Sequence, residues 1–163
     1  MTYTDDQVRL AALHKHWVTA DSIDHHLRRS LNVPESFPVE LPEATAELSI
    51  LMSLWAALTV WYSLLYVIVE GYQELKLHDD EIANLLSDEG KVNLLRLFRN
   101  ATFHYQEEPL SPKMRGFIEA EGGSKWIHAL NRAFRAFFER EVVTNPVFKK
   151  AMDAVLKDWE PKS

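Results

Sequence analysis

Residues 48–69 read LSILMSLWAALTVWYSLLYVIV, 22 positions without a charged side chain, and the reading of this run decides the fold. Its length meets the requirement for a membrane-spanning helix, about 20 apolar residues. Its content favours a helix buried in protein. Ser49, Ser53, Thr59 and Ser63 interrupt it, two Trp and two Tyr sit inside it, and no second such segment exists in the chain. Wound at about 100° per residue, Ser49, Ser53, Ala56, Val60, Ser63 and Val67 share one narrow face. A stripe of small side chains lets another helix approach closely, in a core or across a dimer. A helix is expected from about Glu43 to Lys76, with no membrane as a partner.

Helical signals extend on both sides of this run. Thr4-Asp5-Asp6-Gln7 reads as a capping box that opens a helix over 4–31, with Val8, Leu13, Trp17, Ala20, Leu27 and Leu31 at roughly helical spacing. Three prolines make residues 32–42 an extended loop. Beyond the apolar run, Asp79 or Asp80 caps a short helix to Leu86, and another helix starts near Ser87. Ser111-Pro112 has the cap and first-turn proline of a helix start. Gly122-Gly123-Ser124 breaks the chain before an amphipathic helix, Trp126 to Val143, which carries Trp126, Leu130, Phe134, Phe137 and Phe138 on one side. Asn145-Pro146 opens a last helix over 146–159. The expected fold is all-α: an antiparallel helical bundle of about five to six helices. Residues 1–163 form a single domain, with a core at about 43–143 and the two end helices packed on it.

A chain of 163 residues has room for one domain with a sizeable core. Cysteine is absent, which excludes a disulfide framework, a thiolate metal site and a cysteine nucleophile. The N-terminus, Met1 to Asp6, lacks the basic-then-apolar order of a signal peptide. Both features fit a cytoplasmic location. The net charge of −6 argues against a broadly basic nucleic-acid binder. Yet residues 91–140 hold nine Lys and Arg against five Asp and Glu, so local attraction to phosphate is available on an acidic protein.

That basic segment holds Arg99-Asn100 and, five positions after the arginine, His104. On a helical wheel Leu94, Leu95, Phe98, Ala101, Thr102 and Tyr105 cover one side. Asn93, Asn100 and His104 stack opposite, near Arg96. Asparagine is a poor helix former, so this face reads as a site or a polar interface. Arginine supplies a permanent cation with a rigid donor fork, and histidine moves a proton near neutral pH. Together they are the minimum equipment for cutting RNA without a metal. Arg99 and His104 lie about 140° apart on an ideal helix, so one helix does not easily point both at the same phosphate, and a second copy facing the first could complete the site. His14, His16, His25 and His26 crowd the first helix, but neither Glu-x-x-His nor His-x-x-x-His occurs. No metal and no cofactor are expected. The Walker loop, the Gly-rich phosphate motif and a recognisable serine-nucleophile setting are also absent.

Arg99-Asn100 followed by His104, late in a helix that follows a long apolar one, resembles the HEPN superfamily, over about residues 43–143. Its signature is Arg, a polar residue that is often Asn, and His after four to six intervening residues. The resemblance implies an antiparallel helical bundle and a metal-independent endoribonuclease of toxin–antitoxin, phage-defence or RNA-processing type. It also implies a homodimer that builds its site from two copies of the motif, and an antitoxin protein as a partner beside RNA. Other members have lost activity and serve as binding or scaffold modules. Carried over, His104 is the general acid or base, Arg99 holds the scissile phosphate and Asn100 orients one of them. Glu70 matches the acidic residue that some members place on a neighbouring helix to bond the motif; it also marks where the apolar helix leaves the core. Where one subgroup has a modifiable tyrosine, this chain has Gln106, and Tyr105 falls on the apolar side of the wheel. Lys91, Arg96, Lys113 and Arg115 would attract the RNA backbone.

Overall fold

The computed structural model describes residues 5–30, 43–146 and 148. Among them are six α-helices and no strand: α1 (Asp5–Ser30), α2 (Glu43–Glu74), α3 (Asp80–Leu86), α4 (Glu89–Phe103), α5 (Pro112–Ile118) and α6 (Gly123–Phe138). The fold class is all-α, as the sequence indicates. α6 runs into a π-helical turn at Glu139–Val143, where the periodicity alone reads as one continuous helix. Thr4 of the capping box, the loop at 32–42 and most of the helix expected at 146–159 lie outside the described residues.

Local chemistry sets several boundaries. Asp79 caps α3, its carboxylate accepting from the Ile82 N–H at 3.0 Å. Asp88 does the same for α4, accepting from the Lys91 N–H at 3.1 Å, so α4 opens at Glu89 rather than near Ser87. Pro112 occupies the first turn of α5 after Ser111, where its missing N–H costs nothing. Gly122 holds a positive φ of 69° immediately before α6, a backbone shape that glycine adopts without a Cβ penalty.

α1 runs antiparallel to both α2 and α6. Against α2, Arg9 pairs with Glu74 at 2.7 Å, and Leu13 lies so close to Gly71 that an added Cβ would sit 2.5 Å from its Cδ1. Against α6, His14 packs on Phe138 with ring centroids 5.4 Å apart, and Arg28 reaches His128 at 2.8 Å. The centre is aromatic. Tyr62, Phe98 and Phe117 meet edge to face at 5.3–5.9 Å and join α2, α4 and α5. Tyr72 meets Phe134 and Phe137 at 5.7 and 5.6 Å and joins α2 to α6. The Trp126 indole N–H donates to the Leu85 carbonyl at 3.0 Å and ties α6 to α3.

The uncharged run at 48–69 divides in two. From Trp61 onward α2 is core, with Leu65, Ile68 and Val69 fully buried. Before it Leu48, Leu51 and Met52 are exposed to 58%, 62% and 57%. The small-residue face divides at the same place: Ser63 is buried, while Ser53, Ala56 and Val60 are exposed. Among the described residues α2 is the one helix long and apolar enough to cross a membrane by length and composition.

Candidate functional site

α2 and α4 pack side by side and bring two parts of the motif together with the acidic residue. The Arg99 guanidinium donates from Nη2 to Glu70 Oε2 at 2.9 Å and from Nη1 to Asn100 Oδ1 at 3.0 Å. Its centre lies 5.7 Å from the ring centroid of Tyr66, within reach of a cation–π attraction. Tyr66 and Glu70 are one turn apart on α2, so they share a face. Burial pushes the Tyr66 phenol above its usual range and the Glu70 charge adds to this, while Arg96 and Arg99 pull the other way. The Arg99 and Glu70 side chains keep 31% and 44% of their exposure, so the pair lies at a rim and not in the core.

This geometry fixes one donor fork. Arginine has five N–H groups, and Glu70 and Asn100 take two of them. The rest are left for a phosphate. Because Asn100 Oδ1 accepts from Arg99, its amide NH2 points elsewhere as a second donor. Tyr66 escaped the sequence reading because it sits among core-type side chains in a run without charge. Its spacing of four from Glu70 was the signal available.

His104 departs from the wheel. α4 ends at Phe103, and His104 has extended backbone angles, φ −119° and ψ 144°, with its N–H bonded to the Asn100 carbonyl. The angle of about 140° between Arg99 and His104 therefore describes a helix that has already stopped. Tyr105 is 91% exposed and does not belong to the apolar side. The Gln106 amide donates to the His104 and Tyr105 carbonyls at 3.0 and 2.9 Å and pins the backbone just past the helix. The His104 imidazole is exposed, and no described group hydrogen-bonds to it.

The four expected phosphate contacts are dispersed. Arg96 is held to Asn93 Oδ1 through Nε and Nη2 at 3.2 and 2.8 Å. Lys91 pairs with Asp88 and holds that carboxyl below the usual range. It lies about 12 Å along the helix axis from Arg99. Lys113 is exposed on α5, and Arg115 reaches Glu108 at 3.4 Å. Of the first-helix histidines, His14 stacks on Trp17 at 5.7 Å, and burial lowers its pKa. His25 bonds the Asp21 carbonyl one turn back. Among the described residues no three His, Asp or Glu side chains gather as metal ligands. Compared with family models, curated proteins and solved structures, the chain matches none.

Proposed function

We propose that this chain is a HEPN-like, metal-independent endoribonuclease that works in the cytoplasm as a homodimer. The observation that carries the reading is the link Glu70–Arg99–Asn100 across α2 and α4, with the unengaged His104 imidazole one residue beyond the helix end. Glu70 and Asn100 hold the arginine fork in one orientation, and an oriented fork binds a phosphate better than a mobile one. In the proposed reaction His104 takes the proton of a 2′-hydroxyl. The 2′-oxygen attacks phosphorus, the bond to the 5′-oxygen breaks, and the His104 of a second copy protonates the leaving oxygen. Arg99 stabilises the charge gathering on the phosphoryl oxygens. The products are a cyclic phosphate and a 5′-hydroxyl. Lys91, Arg96, Lys113 and Arg115 supply salt-sensitive attraction to the RNA backbone, and an antitoxin protein would hold the activity in check.

A short labelled RNA tests this in the presence of a chelator. Cleavage should persist, end in a cyclic phosphate and fail at a site carrying a single 2′-deoxy sugar. His104→Ala should lower the rate by roughly 10²–10⁴-fold, the usual contribution of a general acid–base group. Arg99→Lys should also be damaging, because a point charge does not replace a planar fork. A wild-type dimer that cuts no RNA at all would put the silent binding-module reading ahead.

A further inference from the structure

Away from Arg99, α1, α2 and α6 border a half-open cavity of about 420 Å³ lined by Leu27, Leu51, Leu54, Trp55, Leu58 and Trp61. That volume lies within the range of small-molecule sites, roughly 300–1,000 Å³. Its polar edge is built by Asp24, Arg28, Ser124 and His128. Asp24 is 4% exposed, and its charge is already answered: Arg28 Nε donates to both carboxylate oxygens at 3.0 and 3.1 Å, and Asn131 adds a long contact at 3.5 Å. Arg28 also donates to His128 Nδ1 at 2.8 Å. Arginine cannot accept, so Nδ1 is the bare nitrogen and the ring proton sits on Nε2.

The unpartnered nitrogens around this cavity all donate. His128 Nε2–H has no described acceptor. Gly122 gives α6 no side-chain cap, and the N–H groups of Ser124 and Lys125 in its first turn have no backbone acceptor. Helix N-termini also carry partial positive charge. Ser124 and His128 are one turn apart, so they face the cavity together.

We infer that this cavity binds a small amphiphile whose carboxylate head sits at the first turn of α6 beside Ser124 and His128, with its apolar body between Leu51, Leu54, Trp55, Leu58 and Trp61. The head supplies acceptors for the unpartnered N–H groups of Ser124, Lys125 and His128, and the ion pair of Asp24 with Arg28 keeps the wall nearly neutral toward it. This site is separate from the ribonuclease reading and uses none of its residues.

Titration calorimetry of the full chain with decanoate and with 2-naphthoate tests the proposal, with decan-1-ol as the uncharged comparison. At least one carboxylate should bind saturably at one per chain, and the two probes tell a chain-like body from a ring. Ser124→Asp puts a like charge at the head position, and an acidic residue in a first helical turn does not endanger the fold. It should weaken carboxylate binding at least tenfold while melting stays cooperative. Leu54→Trp should fill the cavity and abolish binding. Absence of saturable binding by either carboxylate, equal affinity for decan-1-ol, or unchanged binding in Ser124→Asp would each overturn the inference.

Discussion

The two halves of α2 are built from the same kinds of side chain and lead opposite lives. Residues 61–72 sit among α1, α4 and α6, and their aromatic rings interlock with Phe98, Phe117, Phe134 and Phe137. Residues 48–60 pack on α1 along one side and leave Leu48, Leu51 and Met52 exposed. Hydrophobicity is a property of the strand of letters, whereas burial is a property of how many neighbours arrive. The ring contacts of α2 with α4, α5 and α6 all fall in the second half. The polar rim of Glu70 and Arg99 forms where that packed half meets solvent, and there an arginine can be held firmly yet remain accessible.

The sharpest way to break this contrast is to cut into the packed half. Leu65→Ala should cost about 2–5 kcal/mol, the usual range for a fully buried leucine, as read by urea or thermal unfolding. A cost below 1 kcal/mol would mean that the core is elsewhere. A smaller effect tests the same packed region through pH. Burial lowers the pKa of His14, so the unfolded chain takes up that proton near its ordinary pKa of about 6.5 while the folded chain resists. Stability should fall as pH drops from 7 toward 5, and His14→Phe should flatten the fall. At the rim, Glu70→Gln should change stability by only about 0–1 kcal/mol, as exposed ion pairs do. Its RNA cleavage should drop further than its stability if the carboxylate orients Arg99. On the open half, Leu51→Lys should move unfolding by no more than about 0.5 kcal/mol. A large loss there would show that the face is covered in solution, and a change in light-scattering mass would identify a second copy as the cover.

Features written in neighbouring residues were legible in the sequence. Asp79 before α3, Ser111-Pro112 at the start of α5 and Gly122-Gly123 at the start of α6 act within a few positions. The pairing of Glu70 with Arg99 was approachable because one stands at the end of an apolar run and the other beside a motif. Features set by tertiary contact were not legible. Nothing in Thr102-Phe103-His104 stops a helix by composition, so the wheel was carried past Phe103 and misplaced Tyr105. Tyr66 looked like one more core aromatic until α4 brought Arg99 over its ring. The small-residue face looked uniform because periodicity says which residues share a side and not what lies opposite.

The π-turn after α6 makes the chain tolerant of a lost residue at that point. Its signature bond joins the Thr144 N–H to the Glu139 carbonyl five residues back, at 3.0 Å, and such turns hold one more residue than an α-helix would. Removing a single residue between Glu139 and Val143 would leave an ordinary α-turn and nearly keep the direction in which the chain leaves it. Phe148, now 6% exposed, would keep its seat. The same deletion inside α6 would rotate the helix beyond it by about 100°, so a one-residue deletion screen across residues 130–146 would find its most permissive point at that turn.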